Sequence, residues 1–170
     1  MRLLDEVRNS NKKRKELLVE LSEKVNKDKS LLDDLAKCLE EGNPVEKGLC
    51  MEVLEYTTHK NPEIGIKYID CAIAYLDYKA PLVKWESARV IGNLAVKYSE
   101  KAAKAVDKLM INTKDKGTVV RWATAFALGE IVKYNKNLQD DFVEKIKDLV
   151  SKEQNSGVKN VYLKALKMIK

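Results

Sequence analysis

Three prolines and seven glycines are few for a chain of 170 residues, and they exclude both a turn-rich β-sandwich and a disordered tail. Histidine is scarcer still, with His59 alone. The three cysteines, Cys38, Cys50 and Cys71, include no Cys-x-x-Cys pair. A metal centre needs several soft or imidazole ligands at close spacing, so no metal and no cofactor is expected. The thiols read as small buried groups in a reducing compartment. No run of about 18 apolar residues occurs, which predicts no transmembrane helix. The charge-dense first 40 residues carry no apolar stretch followed by a cleavage site, so the expected location is the cytoplasm. There is no glycine-rich phosphate loop, and no histidine lies at a suggestive spacing from a serine or cysteine nucleophile. The carboxylate pairs Asp33-Asp34 and Asp140-Asp141 fall in early helical turns, where they complement the helix dipole. An enzyme is not expected.

What is abundant is charge and helix-forming apolar periodicity. Of the residues, 45% are hydrophobic and 34% charged, a balance that fits a helix-rich globular domain. Leu17, Leu18, Leu21 and Val25 recur at steps of three or four, as do Leu31, Leu32, Leu35 and Leu39. Breaks fall at Gly42-Asn43-Pro44, Asn61-Pro62, Ala80-Pro81, Lys116-Gly117, Asn135-Lys136-Asn137 and Asn155-Ser156-Gly157. They divide the chain into about nine helices. The net charge of +6 is uneven: residues 1–79 carry 14 basic against 16 acidic groups, residues 80–170 carry 18 against 10. Such a bias suits acidic partners or nucleic acid, and equally a solvated lysine-rich surface.

The chain also copies itself. Val83-Lys84-Trp85-x-x-Ala88-x-x-Ile91-Gly92 returns 37 residues later as Val120-Arg121-Trp122-x-x-Ala125-x-x-Leu128-Gly129. A fixed period of this size is the mark of stacked supersecondary units, each burying its apolar face against its neighbours. Looser copies run from Pro44 to Leu54 and from Val158 to Leu166. The units fall at about 28–60, 61–98, 99–135 and 136–170, after an N-terminal cap within 1–26 whose helix covers about Asn9–Asn26. No linker interrupts them, so residues 1–170 read as one domain.

The pattern Val-[Lys/Arg]-x-x-x-Ala-x-x-[Leu/Ile]-Gly, entered through Pro or Gly, resembles the second helix of a HEAT repeat, of the armadillo-type α-solenoid family. The resemblance implies an all-α, right-handed α-α superhelix of about four helical pairs plus the cap. It also implies a non-enzymatic scaffold that docks a protein or peptide on its concave wall, which second helices line in that family. The family's basic residue commonly links neighbouring repeats through an acid; Asp77 and Asp115, in the turns before Lys84 and Arg121, stand where such an acid is expected.

Trp85 and Trp122 occupy equivalent positions, where the family usually carries an exposed polar residue. One turn on, at i+4, stand Arg89 and Phe126. Two readings stay open. In one, Trp85, Arg89, Trp122 and Phe126 form an exposed strip, with Lys84, Arg121, Lys159 and Lys164 favouring an acidic partner. In the other, the indoles fold between units and bond a neighbouring carbonyl. HEAT-like alkylation-repair DNA glycosylases also set Trp rings on a basic concave face, which keeps nucleic acid as an alternative partner; this chain lacks their Asp beside the aromatics. The half-repeat Leu163 to Lys170, with no polar cap, adds weak self-association to the expectations.

Overall fold

The computed structural model describes residues 2–169, and Met1 and Lys170, counted above in the cap and the last unit, lie outside them. The described residues form ten α-helices and no strand: α1 (Leu3–Asn9), α2 (Arg14–Lys27), α3 (Leu31–Glu41), α4 (Pro44–Lys60), α5 (Ile69–Ala74), α6 (Pro81–Ala103), α7 (Val106–Asn112), α8 (Thr118–Tyr134), α9 (Lys136–Lys152) and α10 (Ser156–Met168). No helix among them is long and apolar enough to cross a membrane.

The starts of the helices follow from local chemistry. Asn43 accepts from the amides of Val45 and Glu46, each at 3.0 Å, while the Glu46 carboxylate accepts from Asn43 N–H at 2.8 Å. This reciprocal capping satisfies donors that the first helical turn leaves free, and Pro44 presets the first turn. Pro81 does the same for α6, and the Asn155 side chain caps α10 through Val158 N–H at 3.1 Å.

Two segments depart from the sequence reading. The cap is two helices, not one over Asn9–Asn26, because the polar run Ser10-Asn11-Lys12 turns back on itself, with Ser10 Oγ accepting from Lys12 N–H. The stretch after Asn61 holds only six α-helical residues, flanked by 3-10 turns at Pro62–Tyr68 and Tyr75–Asp77. In addition, α6 crosses the division drawn between residues 98 and 99, kinking at Tyr98 (φ −132°, ψ 48°) instead of stopping.

The even-numbered helices pack in series, α2 on α4, α4 on α6, α6 on α8 and α8 on α10. Helix α3 packs on α4, α5 on α6, α7 on α8 and α9 on α10. Equivalent residues of α6 and α8 are buried together: Val83 and Val120, Ala88 and Ala125, Ile91 and Leu128, Gly92 and Gly129. Burying each aliphatic side chain of this size stabilises by about 1.5–3 kcal/mol. Ser87 and Thr124 are buried at one register too, each hydroxyl donating to the carbonyl four residues back. The two glycines serve close approach, not turning, since no described residue has positive φ. A methyl group at Gly92 would collide with the Phe126 ring, and one at Gly129 would lie 2.9 Å from Ala165 Cβ.

Polar ties join each unit to the next. Tyr75 OH donates to Leu39 O at 2.5 Å and Asn112 Nδ2 donates to Leu76 O at 2.8 Å, the same bond one period apart. Lys47 is buried, donating to the Leu39 and Glu40 carbonyls at the end of α3.

Candidate functional site

The basic residues that open α6 and α8 are structural ties. Lys84 Nζ lies 2.9 Å from Asp115 Oδ2, and Arg121 Nε lies 3.0 Å from Glu153 Oε2. Arg121 Nη1 also donates to Asp115 O at 2.9 Å. The expected pairing of Asp77 with Lys84 is therefore corrected: Asp77 pairs with Lys108, and Asp115 serves Lys84 from the following unit. Lys84 thus reaches toward the next turn, whereas Arg121 reaches both ways, ahead to Glu153 and back to the Asp115 carbonyl. A groove of about 1070 Å³ runs along this turn edge past both pairs, so its charges are largely neutralised from within.

On the wall formed by α4, α6 and α8 the two tryptophans part company. Trp85 is half-buried against the core, and its indole N–H donates to Glu86 Oε1 at 2.9 Å. Trp85 thus bonds the next residue of its own helix and no carbonyl of a neighbouring unit. Trp122 is 40% exposed, and its ring stacks on Phe126 at 6.1 Å between centroids and 11° between planes. The cause lies in the adjoining residues. Trp85 is followed by a carboxylate that holds its N–H and has Arg89 at i+4; Trp122 is followed by Ala123 and has a ring at i+4 to lie on.

Phe126 and Arg89 make the same contact in two chemistries. Phe126 sits in the notch left by Gly92. Arg89, one period earlier, reaches Glu55, which holds the register of Gly92 and Gly129. Its Nη2 lies 3.1 Å from Glu55 Oε1, and its Nη1 lies 3.3 Å from Glu86 Oε2. Both carboxylates are 3% exposed. Asn93 Nδ2 adds contacts of 3.2 Å to Glu55 Oε1 and 3.3 Å to Thr58 Oγ1. Burial pushes the Glu86 carboxyl up to about 7, against the opposing pull of Arg89 and with help from the nearby charge of Glu55. Burial likewise raises Glu130, with Lys133 opposing.

The proposed strip is thus brought together only in part. Trp122 and Phe126 form a platform; Trp85 and Arg89 are drawn into a polar network beside it. Lys159 is half-buried and Lys164 exposed on α10, and neither has an ion-pair partner among the described residues. Glu55 and Asn93 escaped the sequence reading. For Glu55 a signal was present: an acid at a register where two later copies carry glycine marks a position that faces another helix.

His59 is exposed near the end of α4, and Cys38 and Cys50 are buried. No group of three or more His, Cys, Asp or Glu among the described residues is arranged to hold a metal ion. Neither a protein-family model nor a curated protein matches this sequence.

Proposed function

We propose that the chain is a HEAT-type α-solenoid, a right-handed superhelix of about four helical pairs behind an N-terminal cap. In this reading it is a non-enzymatic scaffold that docks a protein or peptide segment on the wall lined by α4, α6, α8 and α10. The serial packing of the even-numbered helices and the 37-residue register support the architecture. One observation carries the function. Trp122 stands 40% exposed on a ring that is itself seated in a glycine notch, so the apolar platform is preformed and held toward solvent. A rigid aromatic anchor loses little conformational entropy on binding, which is why such groups dominate interface energetics.

Lys159 and Lys164 stand on α10, the helix that packs on α8, and their free charge favours a segment carrying Asp or Glu beside its apolar residues. The ion pairs of Lys84 and Arg121 weigh against nucleic acid. Phosphate binding needs several free cations converging on one face, and these two are engaged. A displayed random peptide library selected against the chain tests the reading. Binders with apolar residues next to acids are expected, and Trp122→Ala should abolish their binding without unfolding the protein. Selection that returns no binders, or binders indifferent to Trp122, refutes it. Duplex DNA binding that weakens steeply with salt would shift the assignment to nucleic acid.

A further inference from the structure

The bond that Tyr75 makes to the Leu39 carbonyl, and that Asn112 makes to the Leu76 carbonyl, has no third copy. The next positions of the series are Leu149 and Val150, and neither side chain can donate. The carbonyl at the matching register is that of Thr113, 37 residues after Leu76, and no hydrogen bond among the described residues reaches it.

This third joint is open as well as unbonded. The turn-edge groove of about 1070 Å³ lies over it, walled by Met110, Ile111 and Thr113 on one side and by Leu149 and Tyr162 on the other. Ile111 is 73% exposed. Tyr162 is 2% exposed, yet its hydroxyl bonds to no described residue. Asn135 Oδ1 is the one fully enclosed side-chain atom without a partner among the described residues, so the Tyr162 hydroxyl is not sealed in but opens onto the groove. Burial pushes this phenol up, which keeps it protonated, able to donate and to accept. The charges nearby are engaged: Lys84 with Asp115, Arg121 with Glu153, Lys152 with Asp148. Lys114, exposed at the rim, is the one lining cation without an ion-pair partner among the described residues. Recognition here therefore rests on fit and on neutral hydrogen bonds.

Two joints earlier the same place is filled from within the chain. There the rings of Tyr75 and Tyr78 meet edge to face at 5.5 Å, with Lys47 Nζ 5.4 Å from the Tyr75 centroid. The middle joint uses the amide of Asn112 instead. Both fillers are flat and uncharged, and each gives one hydrogen to a carbonyl of the preceding unit.

We propose that the groove binds a short segment of a partner polypeptide through a tyrosine side chain whose hydroxyl donates to the Thr113 carbonyl. The ring lies between Ile111 and Leu149, and the Tyr162 hydroxyl serves the segment's backbone. A segment is the occupant, and not a lone ring, because the volume matches the upper end of drug-sized sites, about 300–1000 Å³, and the groove runs on past Lys84 and Gln154. Trp122 does not line it, so the inference does not rest on the docking platform.

Titration of the isotope-labelled chain with N-acetyl-tyrosinamide, a neutral tyrosine between two peptide bonds, tests it through amide chemical shifts. Saturable shifts should centre on Lys114, whose N–H shares a peptide unit with the Thr113 carbonyl, and on Leu149 and Tyr162. N-acetyl-phenylalaninamide, which lacks the hydroxyl, should bind about threefold to tenfold more weakly. Adding a glycine on each side of the tyrosine should tighten binding, and Tyr162→Phe should cancel that gain while keeping the preference for tyrosine. Ile111→Ser, at an exposed position that leaves the fold intact by circular dichroism, should weaken both probes; Trp122→Ala should weaken neither. An absence of saturable shifts, equal binding of the phenylalanine analogue, or shifts centred on Trp122 and Phe126 overturns the proposal. So does a lack of gain on extension, which would make the ligand a small phenol, and so does a second copy of the chain occupying the groove before any probe is added.

Discussion

The joint between α4 and α6 and the joint between α6 and α8 are one design executed twice. At the first, Arg89 crosses to Glu55; at the second, Phe126 crosses to Gly92. The registers are identical and the chemistry is opposite. The apolar joint asks for nothing beyond its own fit, and it leaves the neighbouring indole free to face solvent. The polar joint places two carboxylates out of water with one guanidinium between them, and the indole beside it is recruited to satisfy one of them. A buried charge network of this kind demands that every member be present. Repetition of sequence therefore fixes which positions meet, while the pair of residues found there decides whether the surface above is engaged or open.

The comparison breaks most sharply at Arg89. Its replacement by Ala leaves Glu55 and Glu86 without their cation and is expected to cost about 3 kcal/mol in chemical denaturation at pH 8. The cost should shrink toward pH 5.5, where Glu86 takes up a proton. Converting the joint to its neighbour's chemistry, Arg89→Phe with Glu55→Gly, should recover most of the loss; no recovery would mean that the two joints are not equivalent.

Next in size is Trp85→Ala, at about 2 kcal/mol, because a half-buried ring and the hydrogen bond to Glu86 are both lost. A change within about 0.5 kcal/mol would show that the ring is not part of the network.

Glu86→Gln sharpens the comparison through pH. Burial raises the Glu86 carboxyl from 4.5 to about 7, so the folded protein holds this proton more tightly than the unfolded chain does. Native stability therefore declines between about pH 4.5 and pH 7 on account of this group, and the penalty stays above pH 7. The variant should match the wild type near pH 4.5 and exceed it by about 1 kcal/mol at pH 8, as read from thermal midpoints. A constant difference across that range would contradict the assignment.

The smallest effect belongs to Trp122→Ala, at most about 0.5 kcal/mol, as for an exposed surface substitution. The emission this variant loses should be the red-shifted, quencher-accessible part of the wild-type signal. Loss of the blue-shifted part instead would reverse the roles assigned to the two indoles.

Helical character and the register were legible in the sequence, because Pro44, Pro81, Gly117 and Asn155 punctuate it and the paired Trp motifs set the phase. The break at Ser10 was not, since a polar run without proline or glycine looks the same on a helix and in a turn. The shortened helix after Asn61 was missed for a related reason: Asn61-Pro62 reads as the start of a full helix, and nothing in the pattern tells that Gly65 makes a close approach to Leu94. At the site, periodicity aligned Trp85 with Trp122 but could not say what lay across from each. That depended on Glu55, which sits 34 residues before Arg89 and belongs to another helix.

The notch at Gly92 has a mechanical corollary. The surface that presents Trp122 is carried by α8, yet its height is set by α6, where a missing side chain lets Phe126 sink. Any flexing between those two helices tilts the indole like a pointer on a hinge. A segment clamped over the ring would in turn splint the hinge, so occupancy there should register as slower amide exchange along α6, well away from the point of contact.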